Sequence, residues 1–541
     1  MIGMMLLVIV VWNAMVEITR GRFLVVALLL FCFQCSAQQS IDSEVFSKGN
    51  GNPIIPAYLA DATVFYDEHT DAFYAYGTND GNSGENVFPT QAWYSKDGKN
   101  WKNQIVTLPK EWTDAAGTNY IWAPSIVYHP DSKKYYLMYS IESKVFIAMS
   151  DHPLGSWEDA NSVAPGKLLY KGYDGQFFLD DDRQLYITTD AREFRIIKLN
   201  INKDGKLSFD QSDNRFPLNA ETPFSGRYKY SKISNLKNAF EASLIYKRKG
   251  IYYLMWSFEG SENYNVRYAV SENVNGPYRE IGGSMTEPIL SRDDSKNILG
   301  PGHHSIMDYK GRTFIAYHRQ SYPFVDSKRQ TCIDEVFFNR DGSIKKVILS
   351  HKGVMLKRLS NIGKPKNLAF GKRVIASSVR KYDARPYEKR YRTHDVSFEY
   401  KGEFAVDENN GTRWDAGLDA KEAWLIVDLG KDYRVDSIET TFEFTSRTYK
   451  YKLECLSTDE ANDLNTAAKV KDWKLFADQS LGEVLKSPVI DTSKLAKPVL
   501  ARFVKLLISG AVNLPYSADG VDPINARNSL SVFELKVFGR K

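Results

Sequence analysis

Glu241-Ala-Ser-Leu-Ile245 is followed, after a polar turn containing Gly250, by Tyr252-Tyr-Leu-Met-Trp256. A short apolar run, a turn and a second aromatic-rich run read as a β-hairpin. The same form occurs four more times. Asp61-Ala-Thr-Val-Phe65 leads to Phe73-Tyr-Ala-Tyr76, and Ala123-Pro-Ser-Ile-Val127 leads to Tyr135-Tyr-Leu-Met-Tyr139. Asp174-Gly-Gln-Phe-Phe178 leads to Leu185-Tyr-Ile-Thr188, and His303-His-Ser-Ile-Met307 leads to Thr313-Phe-Ile-Ala-Tyr317. The second-run aromatics Tyr74, Tyr136, Tyr186, Tyr253 and Phe314 recur at intervals of 50 to 67 residues. A repeat of roughly 60 residues carrying several short strands fits one blade of a β-propeller, so five units predict five blades. Unrelated hairpins of a β-sandwich are the alternative, in which this spacing would be accidental.

Working outward, the chain has 541 residues, 43% hydrophobic and 25% charged, enough for two to four domains and too apolar for disorder. The net charge of +5 is a mild excess for this length and gives no reason to expect nucleic acid. Four cysteines are too few for a disulfide scaffold. Cys332 and Cys455 fall in what reads as different domains, so no structural disulfide is expected. The expected order is a signal peptide over 1–37, a propeller over 50–358, a linker over 359–366 and a β-sandwich over 367–541, an all-β fold.

At the N-terminus, Arg20 and Arg22 precede the apolar run Phe23–Phe33, with Cys35-Ser36-Ala37 beyond it. The run is shorter than the ~20 residues of a membrane span and reads as a secretory signal. The expectation is a secreted or periplasmic protein with no stable membrane span; a membrane anchor built from this run and the earlier apolar run Leu6–Val11 is the alternative. Lipidation at Cys35 lacks the small preceding residue that it prefers. Arg380–Arg392 interleaves basic residues with Tyr, but Asp383 and Glu388 interrupt the run, and it reads as a solvated loop.

Aligning the five units places Asp61, Ala123, Asp174, Glu241 and His303 at one point of the repeat. In a propeller, equivalent ends of the innermost strands meet at one mouth of the central channel. Two aspartates, a glutamate and a histidine should therefore converge on one pocket. Carboxylates gathered there suit glycoside hydrolysis, in which one protonates the leaving oxygen and another activates water or attacks the sugar. A Gly-rich phosphate loop, HExxH and GxSxG do not occur.

The segments around these strand starts resemble glycoside hydrolase family 43, five-bladed propellers that invert. The resemblance spans roughly 50–350 and rests on Tyr58-Leu-Ala-Asp61, Trp122-Ala-Pro-Ser125, Tyr173-Asp174-Gly175 with Asp180-Asp-Asp182, Phe240-Glu241-Ala-Ser243 with Gly250-Ile-Tyr-Tyr-Leu254, and Gly300-Pro-Gly-His-His-Ser305. It implies Asp61 as general base, Glu241 as general acid and Asp174 as the group that orients the acid and tunes its pKa. It also implies a calcium ion or ordered water held on the channel axis through His303, or alternatively His304. Arg319 matches a sugar-contacting position, and Trp122 would wall the pocket. This chain has Ala62 after the base and Ala242-Ser243 after the acid, where the family usually has Pro and Gly-Pro. If the enzyme inverts, the carboxyls of Asp61 and Glu241 stand ~6.5–9.5 Å apart.

Residues 367–541 resemble the discoidin-like, coagulation factor 5/8 type C module. The carriers are Asn367-Leu-Ala-Phe-Gly-Lys372, Phe404–Trp414, Trp424–Gly430 and Phe533–Gly539. The resemblance implies an eight-stranded sandwich that binds carbohydrate, with Asp407, Thr412 and Glu534 as candidates for a structural calcium shell. Together these readings predict a glycosidase, exo-acting and inverting, of the α-L-arabinofuranosidase or β-xylosidase type, acting on plant-type polysaccharide or oligosaccharide without an organic cofactor. A galactan-cleaving propeller enzyme and a non-catalytic glycan-binding protein are the alternatives. Oligomeric state cannot be read from the sequence.

Overall fold

A computed structural model describes residues 44–541 apart from 81–89, 110–111, 113–120, 142–143, 163–169, 172, 190–193, 211, 213–229, 323–324, 358–364, 384–396, 418–419, 445–446, 482–489 and 514–529. The signal segment 1–37, most of the linker 359–366 and most of the basic stretch Arg380–Arg392 lie outside the described residues. So does much of the segments 79–89 and 214–235. No helix among the described residues is long and apolar enough to cross a membrane.

Five antiparallel sheets follow one another. Each starts on an inner strand: Leu59–Asp67, Ile121–His129, Gln176–Leu179, Glu241–Arg248 and Gly302–Tyr309. Within each sheet the first strands pair in chain order, as expected for hairpins joined edge to edge; in the second and third blades a last short strand, Tyr170–Lys171 or Tyr230–Ile233, returns to pair with the third strand. The inner strands touch their neighbours around the ring, and Leu59–Asp67 contacts both Ile121–His129 and Gly302–Tyr309, which closes the circle. Each inner strand pairs only with the second strand of its own blade, so its other edge stays unpaired and short, protected within the ring. The second strands carry the repeated aromatics, of which Tyr136, Tyr186, Tyr253 and Phe314 are buried at 2% exposure or less. These rings fill the space between blades.

One local device recurs. In four blades the pairing of the first two strands breaks at the same place: Ala60/Thr63, Trp122/Ser125, Glu241/Leu244 and Gly302/Ser305. Inside these breaks Asp61, Ala123, Ala242 and His303 take positive φ values of 51°, 43°, 57° and 40°, and Asp174 at the start of the third blade takes 53°. Left-handed backbone is unfavourable for a residue with a Cβ, so five instances at one repeat position mark a shared bulge rather than scatter. The bulge turns the channel end of each inner strand inward. It also corrects the sequence alignment by one residue: Ala242, not Glu241, is the equivalent of Asp61, and Glu241 shares its register position with Trp122.

Residues 373–540 build a second antiparallel β domain. Its seven-stranded sheet runs in the order Trp414–Asp415, Ser531–Arg540, Ala423–Phe442, Ile490–Asn513, Arg447–Leu456 and Lys474–Asp478, with Arg373–Ala376 also on Ala423–Phe442. Period-two alternation along Ser531–Arg540 and Arg447–Leu456 sends alternate side chains inward. The two domains share one hydrophobic cluster, from Leu59, Val64 and Phe73 in the first blade to Trp414, Leu425 and Val532 in the second domain. Cys332 and Cys455 are free, buried and in different domains.

Candidate active site

The bulges bring three of the predicted residues together. His303 Nδ1 stands 3.3 Å from Asp61 Oδ1 and 3.7 Å from Asp174 Oδ2. One ligand-capable atom each of Asp174, Glu241 and His303 lie within 4.8 Å of one another. Asp61, Asp174 and His303 are buried, and Glu241 keeps part of its surface open although its carboxyl is largely enclosed.

Asp61 is gripped on one oxygen. Its Oδ1 lies 2.9 Å from Arg329 Nη1, 2.9 Å from His318 Nδ1 and 3.3 Å from His303 Nδ1. Arg329 is itself clamped by Asp80, whose Oδ2 is 2.7 Å from Nε and whose Oδ1 accepts from Nη2 at 3.1 Å. Such a two-point guanidinium–carboxylate pair fixes orientation as well as charge. Burial alone would push Asp61 up, but Arg329, His303 and His318 together hold it well below the ordinary carboxylate range. Burial keeps His318 neutral by pulling it down to about 4, with Nδ1 as the ring nitrogen turned to Asp61.

Glu241 is pushed the other way. Burial raises it to about 7; the Asp61 charge adds to this, while a hydrogen bond from the Tyr264 hydroxyl and the Arg329 charge oppose it. Asp174 is also held well above its usual value, by burial and by the charges of Glu241 and Asp61, with the Ala242 amide bonded to it in opposition. Asp174 and Glu241 therefore titrate as a pair. Two carboxylates driven apart in pKa by their surroundings are the arrangement that acid–base hydrolysis requires.

Tyr264, Arg329 and His318 escaped the sequence reading. Tyr264 follows the short turn Ser261–Asn263 and stacks edge-on against His318, ring centroids 5.0 Å apart. Gly302 makes room for it: a Cβ there would come within 2.6 Å of the Tyr264 ring. Arg319 is placed elsewhere. His318 faces the channel, so its neighbour on the strand points through the sheet, where Arg319 Nη1 lies 3.0 Å from His351 Nδ1 and Nη2 donates to the Asn52 carbonyl at 3.1 Å. The guanidinium beside the carboxylates belongs to Arg329. Trp122 is half-buried at the register position that Glu241 occupies two blades later. His304 is buried on no hydrogen-bonding partner and is pulled down to about 3 by burial and by His303.

For an ion, a ring nitrogen of His303 lies close to one oxygen each of Asp174 and Glu241, so this group could hold one; Nε2 of the same ring is buried without a hydrogen-bonding partner. The second domain has a separate candidate. Asp407 Oδ2 accepts from Thr412 Oγ1 at 2.7 Å, and Glu534 Oε2 accepts from the Glu408 amide at 3.0 Å. Glu534 Oε1 is buried without a partner. Burial pushes Asp407 up to about 7, and burial plus the Asp407 charge holds Glu534 well above its usual value. Two buried, mutually repelling carboxylates fit a hard cation with oxygen ligands.

A propeller whose channel holds one carboxyl kept ionised and another pushed up toward neutrality is suited to acid–base hydrolysis of a glycosidic bond. The chain belongs to the glycosyl hydrolases family 43, whose pattern matches residues 50–344. Residues 404–506 match the NedA-like, galactose-binding domain of the factor 5/8 type C group. Among relatives, a beta-D-galactofuranosidase of Aspergillus niger is 25% identical over 335 residues, 57% of this chain and 88% of its own. An extracellular endo-alpha-(1->5)-L-arabinanase of Bacillus subtilis is 29% identical over 236 residues, 40% of this chain and 68% of its own. A solved structure described as a glycoside hydrolase has a TM-score of 0.68 at 24% identity over 92% of this chain and 100% of its own, so the two share the fold across both domains.

Proposed function

We propose that the protein is an inverting, exo-acting glycosidase that releases α-L-arabinofuranose, or β-D-xylose, from plant-type polysaccharide or oligosaccharide. The observation that carries the mechanism is the opposite treatment of two carboxyls at one channel mouth: Asp61 held ionised by Arg329, and Glu241 held protonated by burial. All three contacts to Asp61 fall on Oδ1, leaving Oδ2 to take a proton from water. The water oxygen then bonds to the anomeric carbon on one face of the sugar. On the other side, the carboxyl proton of Glu241 passes to the glycosidic oxygen as its bond to that carbon breaks. The hydroxyl arrives opposite the departing group, so the configuration inverts. Asp174, bonded to the amide of Ala242, sets the position and proton affinity of Glu241 from beside it.

Where an ion is resident, His303 would hold it with Asp174 and Glu241, and calcium there would add positive charge to the channel axis without replacing either proton transfer. In the second domain Asp407, Thr412 and Glu534 would hold a structural calcium, and that domain would retain glycan near the propeller. A polysaccharide substrate agrees with export directed by residues 1–37.

The arabinanase relative supports arabinofuranose. The galactofuranosidase relative favours a second reading, β-D-galactofuranoside cleavage, which uses the same carboxyls on another five-membered ring sugar. Incubation with arabinans, xylans, galactans and the nitrophenyl α-L-arabinofuranoside, β-D-xyloside and β-D-galactofuranoside decides the sugar. Release of arabinose or xylose as inverted monosaccharide, followed by proton NMR, is expected. Galactofuranose alone would establish the second reading, larger oligosaccharides would show endo action, and binding without cleavage would reduce the protein to a glycan-binding one.

A further inference from the structure

The strand Val325–Val336 ends the fifth blade and lies between the proposed active site and the second domain. Neighbours on it point opposite ways. Arg329 faces the channel and holds Asp61, whereas Lys328 faces the second domain, its Nζ 3.1 Å from Glu443 Oε1. Glu443 is almost fully buried and is met from both domains. The hydroxyl of Tyr58 donates to its Oε1 at 2.5 Å, Arg413 Nε stands 2.8 Å from the same oxygen, and Ser531 donates to Oε2. Lys328 Nζ also lies 5.0 Å over the Tyr58 ring and 5.1 Å over the Phe444 ring.

Tyr58 leads back to the site. Its carbonyl accepts the amide of Asp80 at 3.0 Å, and Asp80 is the carboxylate that clamps Arg329. Glu443 thus reaches the Asp61–Arg329–Asp80 group by two routes, through Lys328 beside Arg329 and through Tyr58 beside Asp80. A buried charge met by two cations and two hydroxyls has one low-energy arrangement, and its partners inherit that rigidity.

We propose that Glu443, in the second domain, is a positioning residue for the reaction: by fixing Lys328 and Tyr58 it holds Arg329 in register with Asp61, so the second domain completes the catalytic site. This rests on the reading of Asp61 as the base. A residue acting through Arg329 must show non-additive kinetics with it, whereas a residue that only holds the domains together need not.

The test compares Glu443→Gln, Glu443→Asp and Tyr58→Phe in the full chain, each alone and combined with Arg329→Lys. The probe is the nitrophenyl glycoside that the wild type cleaves fastest, or the best polysaccharide of the panel if it cleaves none, at a temperature where every variant is folded by circular dichroism. Glu443→Gln is expected to lower kcat by about tenfold or more with KM within about threefold, Glu443→Asp to recover part of the loss, and Tyr58→Phe to lose less. In the Arg329→Lys background the Glu443→Gln loss should shrink to about twofold. Lys99→Ala, which breaks an exposed interdomain ion pair to Glu408, is the control and should leave kcat unchanged. Wild-type kcat in folded Glu443→Gln and Tyr58→Phe, or full multiplication of their losses with Arg329→Lys, overturns the proposal. Should Glu443→Gln fail to fold, Tyr58→Phe, which removes one hydroxyl, decides alone. Asp61→Asn keeps the two readings separate: if it is active the assignment of the base falls, and if it is inactive while the other variants behave as wild type only the positioning role falls.

Discussion

Arg329 and Asp61 are 268 positions apart in the chain and 2.9 Å apart in the fold, Nη1 against Oδ1. That contact keeps a buried carboxylate charged in a channel otherwise hostile to charge. Arg329→Met should let Asp61 rise toward its ordinary value and also strand Asp80, which burial already pushes up to about 6. The acidic limb of the kcat/KM profile should move to higher pH, with a loss of roughly 100-fold or more. An unmoved acidic limb in the folded variant would show that Arg329 does not set the charge of the base.

Asp61→Asn and Glu241→Gln should each cut turnover by about 10²–10⁴-fold. Their effects on stability should have opposite signs. Asp61 is depressed on folding, so its charge adds stability above its unfolded pKa, and that stability is lost as pH falls through the folded value. Asp61→Asn should therefore be less stable than wild type at pH 7, with the gap closing in acid. Glu241 is raised on folding from 4.5 to about 7, so the wild type loses stability as pH rises across that window, on the order of 3 kcal/mol. Glu241→Gln escapes this loss and should gain on the wild type between pH 4.5 and 7. Thermal unfolding of the three proteins at pH 4.5, 6 and 8 checks both signs.

Tyr264 donates to Glu241 and so favours its charged form. Tyr264→Phe should raise the pKa of Glu241 further and carry the alkaline limb of kcat to higher pH, with about a tenfold loss of rate as the carboxyl loses its tether. Gly302→Ala should mimic it, because the new Cβ would displace the same ring. A pH–rate profile with an unchanged alkaline limb in Tyr264→Phe would remove Tyr264 from the mechanism.

In the second domain, Asp407 and Glu534 are both held above their ordinary values, so protons must leave before a cation can bind. Calcium should raise the melting temperature of chelator-treated protein, more at pH 8 than at pH 6, and Glu534→Gln should abolish the response. Melting curves with EDTA and with added calcium chloride measure it; an equal response in Glu534→Gln would place the ion elsewhere.

Much of this was written in the sequence because it is local. A hairpin repeats its aromatics at a nearly fixed distance from its first residue, so Tyr74, Tyr136, Tyr186, Tyr253 and Phe314 disclose five blades, and Asp61, Ala123, Asp174 and His303 mark four of the five ring positions. The remaining one, in the fourth blade, was legible only to within one residue. A bulge leaves two residues of a strand without partners, and hairpin spacing cannot tell which of Glu241 and Ala242 occupies it. Arg329 and Tyr264 lie off the repeat, on a third strand and beside a turn, and act through contacts that only closure of the ring creates. Arg319 was the more visible arginine, but its neighbour His318 takes the channel side of their strand and alternation sends Arg319 to the other. Glu443 sits in a different domain from Lys328 and Tyr58, and no local pattern announces it.

The hydrophobic cluster that runs from Leu59 and Phe73 to Trp414 and Val532 bears on how this enzyme can be engineered. A propeller cut free near residue 358 would present that oily seam to solvent and leave Lys328 facing no anion. The catalytic module is not a portable cassette: a chimera that borrows its sugar chemistry should transplant both modules, joined as they are here.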